Sequence, residues 1–175
     1  SILSISKDDN SDYITFVTRK GLVKRTKIEE FDSIRKSGKI AITLKEDDEL
    51  LFVTKTDGNN EIVIGSSNGR LVRFNENEIR VMGRTASGVK GIEIPEDAIC
   101  VSAEKVDPTS DILIITENGY GKRTNIEEYR LTHRGSKGVK ALNVTEKNGN
   151  LVSVKVSDEN KELIFYMDLF CMKAL

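Results

Sequence analysis

The chain has few of the residues that build catalytic or metal sites. Its 175 residues include one histidine, His133, and two cysteines, Cys100 and Cys171, which do not form a CxxC pair. No GxxxxGKS/T or HExxH motif occurs, so the usual signatures of phosphate-loop and zinc enzymes are missing. We interpret His133 as a polar loop residue and the two thiols as reduced, buried and inert. Catalysis by this chain is therefore not expected.

Long apolar runs are also missing. No stretch approaches the roughly 20 residues that a transmembrane helix needs, and the first residues lack the basic start and apolar block of a signal peptide. The apolar content of 38% is ordinary for a soluble globular domain. Because the chain does not begin with Met, we expect it to be a piece of a longer protein.

The chain contains an internal repeat of fifty residues. Residues 62–94 align with residues 112–144 without a gap, so that Asn68-Gly69 falls on Asn118-Gly119 and Arg73 falls on Arg123. An earlier copy is visible because residues 24–31 (KRTKIEEF) reappear as residues 122–129 (KRTNIEEY). We divide the single domain 1–175 into a first unit 1–44, a second unit 45–94, a third unit 95–144 and an incomplete unit 145–175.

Each complete unit predicts four short strands. In the second unit, the runs rich in Val, Ile and Leu are residues 50–53, 61–66, 70–74 and 90–94. Asn68-Gly69 predicts a type I′ hairpin turn, in which both central residues have φ above zero. Residues 28–31 and their counterparts predict one helical turn or a tight loop, with an apolar residue packed inward. The incomplete unit predicts strands at residues 151–156 and 163–166, and nothing is predicted for the tail 167–175.

Units of four strands at this period predict an all-β, propeller-like array, in which each unit is a blade that packs on its neighbours.

Charge is sorted along the repeat. Residues 16–44, 66–94 and 116–144 carry +5, +2 and +3, whereas residues 1–15, 45–65, 95–115 and 145–175 carry −2, −4, −4 and −1. Since equivalent positions of radial units lie on the same part of the rim, we expect one positive band, which favours a polyanionic partner.

Three loops in the basic segments combine cations, small hydroxyl residues and glycine. They are residues 35–39, 84–90 and 134–140, here named the first, second and third glycine loops. Such loops let backbone N–H groups and cationic side chains approach phosphate oxygens together. A simple strand connection with glycine at positive φ is the alternative. For any single cation, the alternative is a solvated surface position.

The sequence resembles the C-terminal domain of the A subunit of DNA gyrase, a domain shared in part by topoisomerase IV. The resemblance is carried by residues 118–124 (NGYGKRT), 68–74 (NGRLVRF), 79–84 (IRVMGR) with 88–92 (GVKGI), and 145–149 (TEKNG). It covers roughly residues 1–166. The family's QRRGGKG run is absent, and residues 134–138 are similar to it but lie in a later unit. The regularity of the repeats favours gyrase over topoisomerase IV.

The resemblance implies a β-pinwheel, a propeller-like ring of four-stranded blades with exchanged strands, here a partial ring of about three and a half blades. It implies a non-catalytic domain that bends duplex DNA around its basic rim and guides it for negative supercoiling. The implied partners are duplex DNA, the rest of the A subunit, and the gyrase B subunit, with no membrane, in the bacterial cytoplasm at the nucleoid. No cofactor is expected in this fragment, since ATP and Mg²⁺ would act through other domains of this ATP-dependent type II topoisomerase.

The candidate DNA-binding residues are cations of the basic segments. They are Lys24, Arg25, Arg35, Lys36, Lys39, Arg73, Arg80, Arg84, Lys90, Lys122, Arg123, Arg130, Arg134, Lys137 and Lys140. Two alternatives remain open: a propeller scaffold that binds an acidic protein through the same band, and the topoisomerase IV counterpart. A propeller hydrolase would need carboxylates or histidines at a central channel, for which the sequence offers little support.

Overall fold

The computed structural model describes residues 12–32 and 38–157, and these form an all-β array, as predicted. The strands are β1 (Tyr13–Thr18), β2 (Leu22–Lys27), β3 (Leu50–Thr56), β4 (Glu61–Ser66), β5 (Arg70–Asn75), β6 (Val89–Lys90), β7 (Cys100–Val106), β8 (Asp111–Thr116), β9 (Gly121–Asn125), β10 (Val139–Lys140) and β11 (Leu151–Ser157). The predicted strand 163–166, the tail 167–175 and Cys171 lie outside the described residues. In the described ranges, no helix has the length and apolar character to cross a membrane.

The strands form three sheets, each built from more than one sequence unit. Their strand orders are β3-β1-β2-β6, β10-β5-β4-β7 and, within the described residues, β11-β8-β9. The first strand and the short last strand of each sequence unit join the preceding sheet, so that β6 pairs with β2 and β10 pairs with β5. This exchange agrees with the β-pinwheel that the resemblance implied. The sheets are therefore shifted relative to the unit boundaries at residues 45, 95 and 145.

The hairpin turns differ from the type I′ turn that the sequence predicted. Ser66 pairs directly with Arg70, so that three residues form the loop. Gly69 has a φ of 78°, whereas Asn68 does not have a positive φ, and the Gly69 N–H donates to the Ser66 carbonyl at 2.9 Å. This is a three-residue loop that ends in a glycine in the left-handed region. Gly21 and Gly119 occupy the same position with φ of 81° and 78°.

The predicted strand at residues 90–94 is shorter in the structure. β6 ends at Lys90, and the N–H groups of Gly91 and Ile92 both turn toward the Gly21 carbonyl, at 2.8 and 3.3 Å. Ile92 is buried in the core between the first two sheets. The chain leaves the sheet there because burying Ile92 requires it to bend inward. The predicted strands at 50–53, 61–66, 70–74 and 151–156 are confirmed as β3, β4, β5 and β11, with small extensions.

The core lies in two layers, one on each face of the second sheet. Ile62 and Ile64 of β4 pack toward the first sheet with Phe74, whereas Val63 packs toward the third sheet with Leu71. Alternate residues of a strand point to opposite faces, and β4 is buried on both. Single 3₁₀ turns, Ile28–Phe31, Glu76–Glu78 and Ile126–Glu128, follow β2, β5 and β9, as predicted. The third of these buries Ile126, but no residue of the first is buried.

Candidate nucleic-acid interface

One arginine of each unit's hairpin faces a carboxylate or ring on the neighbouring strand. Arg73 lies opposite Val63 and its Nε is 2.6 Å from the Glu61 carboxylate. Arg123 pairs in the same way with Asp111, with its Nε 2.7 Å and its Nη2 2.6 Å from the carboxylate. In the first unit, Tyr13 occupies the equivalent position, and the Arg25 guanidinium lies 4.5 Å from the centre of its ring. The arginine at this position of the hairpin therefore contacts a carboxylate in the second and third units and an aromatic ring in the first.

Two of these arginines, Arg25 and Arg73, join successive sheets. Arg73 Nη1 donates to the carbonyls of Ile126 and Tyr129, at 2.9 and 3.1 Å, around the third unit's 3₁₀ turn. Arg25 Nη1 reaches Glu76 and Asn77 of the second unit's turn, at 3.4 and 3.1 Å. Both arginines are buried. Their guanidinium groups thus serve the contact between units, and little of either side chain is open to a ligand.

Lys24 is fully buried, although its charge predicted a surface position. Its ammonium donates to the carbonyls of Ala41 and Arg84, and it lies 5.3 Å from the centre of the Phe16 ring. Burial, followed by repulsion from Arg84, lowers the pKa of Lys24 to about 8. The equivalent position of the second unit holds the buried Val72. Lys24 therefore connects the segment at Ala41 with the start of the second glycine loop at Arg84, from inside the fold.

Two equivalent arginines hold the glycine loops side by side. Arg84 Nη1 donates to the Ile40 carbonyl at 3.2 Å, and Arg134 Nη1 donates to the Lys90 carbonyl at 3.0 Å. Each bond runs from the first residue of one loop to the end of the preceding loop, at Ile40 directly after the first loop and at Lys90 in the second. Arg84 also lies 3.8 Å from the Glu30 carboxylate. Both arginines are half-buried, and their bonds place the described parts of the three loops in a row.

Backbone contacts complete this row. The Gly135 N–H donates to the Gly91 carbonyl at 2.6 Å, and the Glu93 N–H donates to the Ser136 carbonyl at 2.9 Å. Gly138 has a φ of 66°, and a Cβ built on it would lie 2.2 Å from the Leu71 carbonyl oxygen. Glycine is needed at this position because the loop crosses the neighbouring strand at main-chain distance. This is the backbone role of glycine that the sequence analysis gave as the alternative, and the approach of these loops to phosphate stays a prediction.

The candidate cations therefore fall into four groups. Arg35 and Lys36 lie outside the described residues. Lys24, Arg25 and Arg73 are buried, and Lys39, Arg84 and Arg134 are half-buried with backbone partners. Seven are exposed: Arg80, Lys90, Lys122, Arg123, Arg130, Lys137 and Lys140. Lys90, Lys137 and Lys140 lie in the glycine loops, Arg80 and Arg130 precede these loops by four residues, and Lys122 and Arg123 lie on β9. The candidate DNA-binding surface is therefore reduced to these exposed residues, and their contact with DNA stays a prediction.

His133 lies in this region with its side chain almost fully exposed. Its Nδ1 is 3.4 Å from the Glu78 carboxylate, which also accepts from the Arg134 N–H at 3.1 Å. Within residues 12–32 and 38–157, no three His, Cys, Asp or Glu side chains gather in a way that could hold a metal ion. His133 is therefore in a loop, as the sequence analysis interpreted it.

Two further surface residues of this region were not among the predicted site residues. Val81 and Leu131 are exposed apolar side chains, and each directly follows an exposed arginine, Arg80 or Arg130. They lie fifty residues apart at the same point of the repeat. The sequence could have indicated these two residues, because an apolar residue recurs at the same point of the repeat outside any predicted strand.

The repeat and the exchanged sheets match a known family. The family model for the DNA gyrase C-terminal domain, a β-propeller, matches residues 12–57, 60–107 and 110–158. The chain belongs to this family. Each of the three matches begins at the hairpin of one sheet and ends with the long strand that completes it. The second and third matches also contain the short strands β6 and β10, which join the preceding sheet.

Curated relatives of the chain include A subunits of DNA gyrase. The protein of Ureaplasma parvum is 55% identical over 94 residues, which cover 53% of this chain and 11% of that protein. The protein of Staphylococcus epidermidis is 51% identical over 85 residues, covering 49% of this chain and 10% of that protein. The matches thus span about a tenth of these relatives, and the resemblance found in the sequence is confirmed.

Solved structures of both enzyme types share the fold. The C-terminal domain of a DNA topoisomerase IV superimposes with a TM-score of 0.82 at 30% identity, over 90% of this chain and 50% of that one. A DNA gyrase A C-terminal domain gives a TM-score of 0.74 at 28% identity, over 88% of this chain and 52% of that one. The chain spans about half of either domain.

Proposed function

We propose that this chain binds and bends duplex DNA as part of the non-catalytic wrapping domain of a bacterial DNA gyrase A subunit. The observation that carries the proposal is the row of glycine loops with its exposed cations, in a chain of the gyrase C-terminal family. Each cation that neutralises a phosphate releases counterions, and this gives affinity without sequence preference. A curved row of such contacts holds DNA in a bent path.

In this proposal, the domain guides DNA for negative supercoiling while the chemistry occurs elsewhere. Its protein partners are the rest of the A subunit, together with the B subunit, and ATP and Mg²⁺ act through those other parts. The bacterial cytoplasm, at the nucleoid, is the corresponding location. The buried Lys24, Arg25 and Arg73 act in the fold, and the exposed cations make the phosphate contacts.

The test is the binding of linear duplex DNA by the 175-residue chain over a range of salt concentrations, measured by fluorescence anisotropy. We expect affinity to fall steeply with salt. Replacing one phosphate contact, Lys140→Gln or Arg130→Gln, lowers the slope of log K against log salt by about 0.9. The matched control is Lys105→Gln, an exposed lysine on β7 in an acidic segment, which leaves the slope unchanged.

Two results would contradict the proposal. One is the absence of DNA binding at low salt, and the other is binding that does not depend on salt. An acidic protein partner that excess duplex DNA fails to displace would favour the scaffold function instead. Bending is measured separately, by the shortening of the distance between fluorophores at the two DNA ends. Binding without shortening would restrict the function to holding DNA.

A further inference from the structure

Val81 and Leu131 form the only repeated pair of exposed apolar residues that follow exposed arginines in the part of the chain that the structure describes. Val81 is 43% exposed and Leu131 is 53% exposed. The corresponding residues of the first unit are Asp32 and Ser33, so the pairing of arginine and apolar side chain belongs to the second and third units. Single exposed apolar residues are common on protein surfaces, but recurrence at one point of the repeat is not explained by chance exposure.

The backbone beside each of these residues is fixed to the preceding unit. The Met82 N–H donates to the Arg25 carbonyl at 2.8 Å, and Val81 forms a bridge with Arg25. The Thr132 N–H donates to the Arg73 carbonyl, also at 2.8 Å. Both anchors are the buried arginines that join the sheets. Val81 and Leu131 are therefore presented on rigid backbone, where turning inward would break these bonds.

The surroundings of Leu131 are cationic. Leu131 lines a surface depression of about 460 Å³ together with Arg130, His133 and Lys137. The nearby carboxylate of Glu78 is engaged by His133 and by the Arg134 N–H. A ligand here meets an apolar side chain flanked by positive charge. A nucleotide offers the complementary pair, because each anionic phosphate is next to an apolar face of deoxyribose.

We propose that Val81 and Leu131 pack against the deoxyribose edges of the DNA minor groove while Arg80 and Arg130 bind the flanking phosphates. The inference rests on the proposed DNA-binding function and adds a contact that salt does not screen. Apolar side chains placed in the minor groove favour bending of the duplex. With two such contacts on successive units, DNA binding would favour the bent form of the duplex.

The test separates apolar from electrostatic affinity in the same salt series on linear duplex DNA. We expect Leu131→Ala to raise Kd by about fivefold at every salt concentration, because apolar area is lost. The slope of log K against log salt should stay as in the unaltered chain. Val81→Ala should raise Kd by about threefold. Arg130→Gln, by contrast, should lower the slope by about 0.9.

The matched control for Val81→Ala is Val152→Ala, since Val152 on β11 is 41% exposed and lies outside the basic segments. Its DNA affinity should equal that of the unaltered chain. Urea midpoints of all variants should stay unchanged, because the altered side chains are exposed.

The inference is overturned if Val81→Ala and Leu131→Ala bind DNA as tightly as an unaltered chain that itself binds in a salt-dependent way; the proposed function would then still stand. If the unaltered chain does not bind DNA at all, the proposed function fails first. Self-association that Leu131→Ala abolishes, with unchanged DNA affinity, would assign these residues to a contact between copies and would also overturn the inference.

Discussion

Arg73 and Glu61 form an ion pair with their Nε and Oε2 atoms 2.6 Å apart, and their side chains are only 10% and 16% exposed. The pair recurs one unit later as Arg123 and Asp111, with side chains 43% and 25% exposed. In the described part of the chain, a neighbouring unit covers the pair of Arg73, whereas no described turn covers the pair of Arg123. The difference is the packing of the third unit's 3₁₀ turn over Arg73.

Removal of the Arg73 side chain should destabilise the fold strongly. Arg73→Ala removes the donor of the Glu61 carboxylate and of the Tyr129 carbonyl, and one of the two donors of the Ile126 carbonyl. We expect the free energy of unfolding, measured by urea denaturation, to fall by about 3 kcal/mol. The control Arg123→Ala removes an exposed pair and should cost less than about 1 kcal/mol. Equal effects of the two substitutions would show that burial does not distinguish these pairs.

The loop crossing at Gly138 should not accept a side chain. Gly138→Ala places a methyl group 2.2 Å from the Leu71 carbonyl oxygen and requires a φ of 66°. We expect the free energy of unfolding to fall by more than about 2 kcal/mol, since the left-handed region alone costs about 1–2 kcal/mol. Gly83→Ala is the control, because its Cβ would meet no atom within 4 Å. A Gly138→Ala variant as stable as Gly83→Ala would contradict the close crossing of Gly138 over β5.

The buried ammonium of Lys24 predicts a pH dependence of stability. Its pKa is lowered from 10.5 to about 8 by burial, then by Arg84, so between these values the unfolded chain binds more protons than the folded one. Stability conferred by this group therefore rises as the pH increases above 8, by at most about 1.4 kcal/mol per pH unit. The measurement is the difference in unfolding free energy between the unaltered chain and Lys24→Met from about pH 7 to about pH 9.5, a range that spans the lowered pKa.

Cys100 is present in both of these proteins, so its titration cancels in that difference. The control is Lys122→Met, which alters the exposed lysine at the same point of the third unit; the effect of Lys24→Met is assigned to burial if it exceeds the effect of this control. Equal effects of the two substitutions would show that Lys24 titrates as a solvated lysine.

Cys100 should be inert in the folded protein. Burial, and secondarily the charge of Asp48, raises the pKa of its thiol to about 12, and the thiolate is the reactive form. In a Cys171→Ser variant, we expect no alkylation by iodoacetamide in native buffer at about pH 8, near the pKa of a free thiol, and complete alkylation in urea. Labelling of the native protein at the rate of a free cysteine would contradict both the burial and the raised pKa.

Much of the fold could be predicted because the repeat carries its local signals three times. β4 has the bounds that its run of apolar residues predicted, and β5 is one residue longer. The type I′ assignment at Asn68-Gly69 was wrong because turn type depends on the pairing of Ser66 with Arg70, which sets the loop at three residues. The predicted strand at 90–94 was too long because Ile92 is drawn into a core to which residues of three units contribute.

The candidate site was predicted less completely than the fold. Charge sorting identified the segments in which the exposed cations lie, but it could not separate Arg73 from Arg123 or Lys24 from Lys122, since these residues have the same chemistry and the same repeat position. Arg84 and Arg134 also looked like free cations, whereas their bonds to Ile40 and Lys90 hold the loops together. In the buried and half-buried cases, contacts with a neighbouring unit decide the outcome.

The sequence by itself determined the period, the hairpins and the sorting of charge, because each depends on residues near one another along the chain. Only the tertiary structure decided which strands share a sheet and which cations reach solvent. Those outcomes depend on the neighbouring unit: a buried cation must find partners, and Lys24, Arg25 and Arg73 find them in carbonyls, carboxylates and rings, several of which the next unit's loop or turn brings to them.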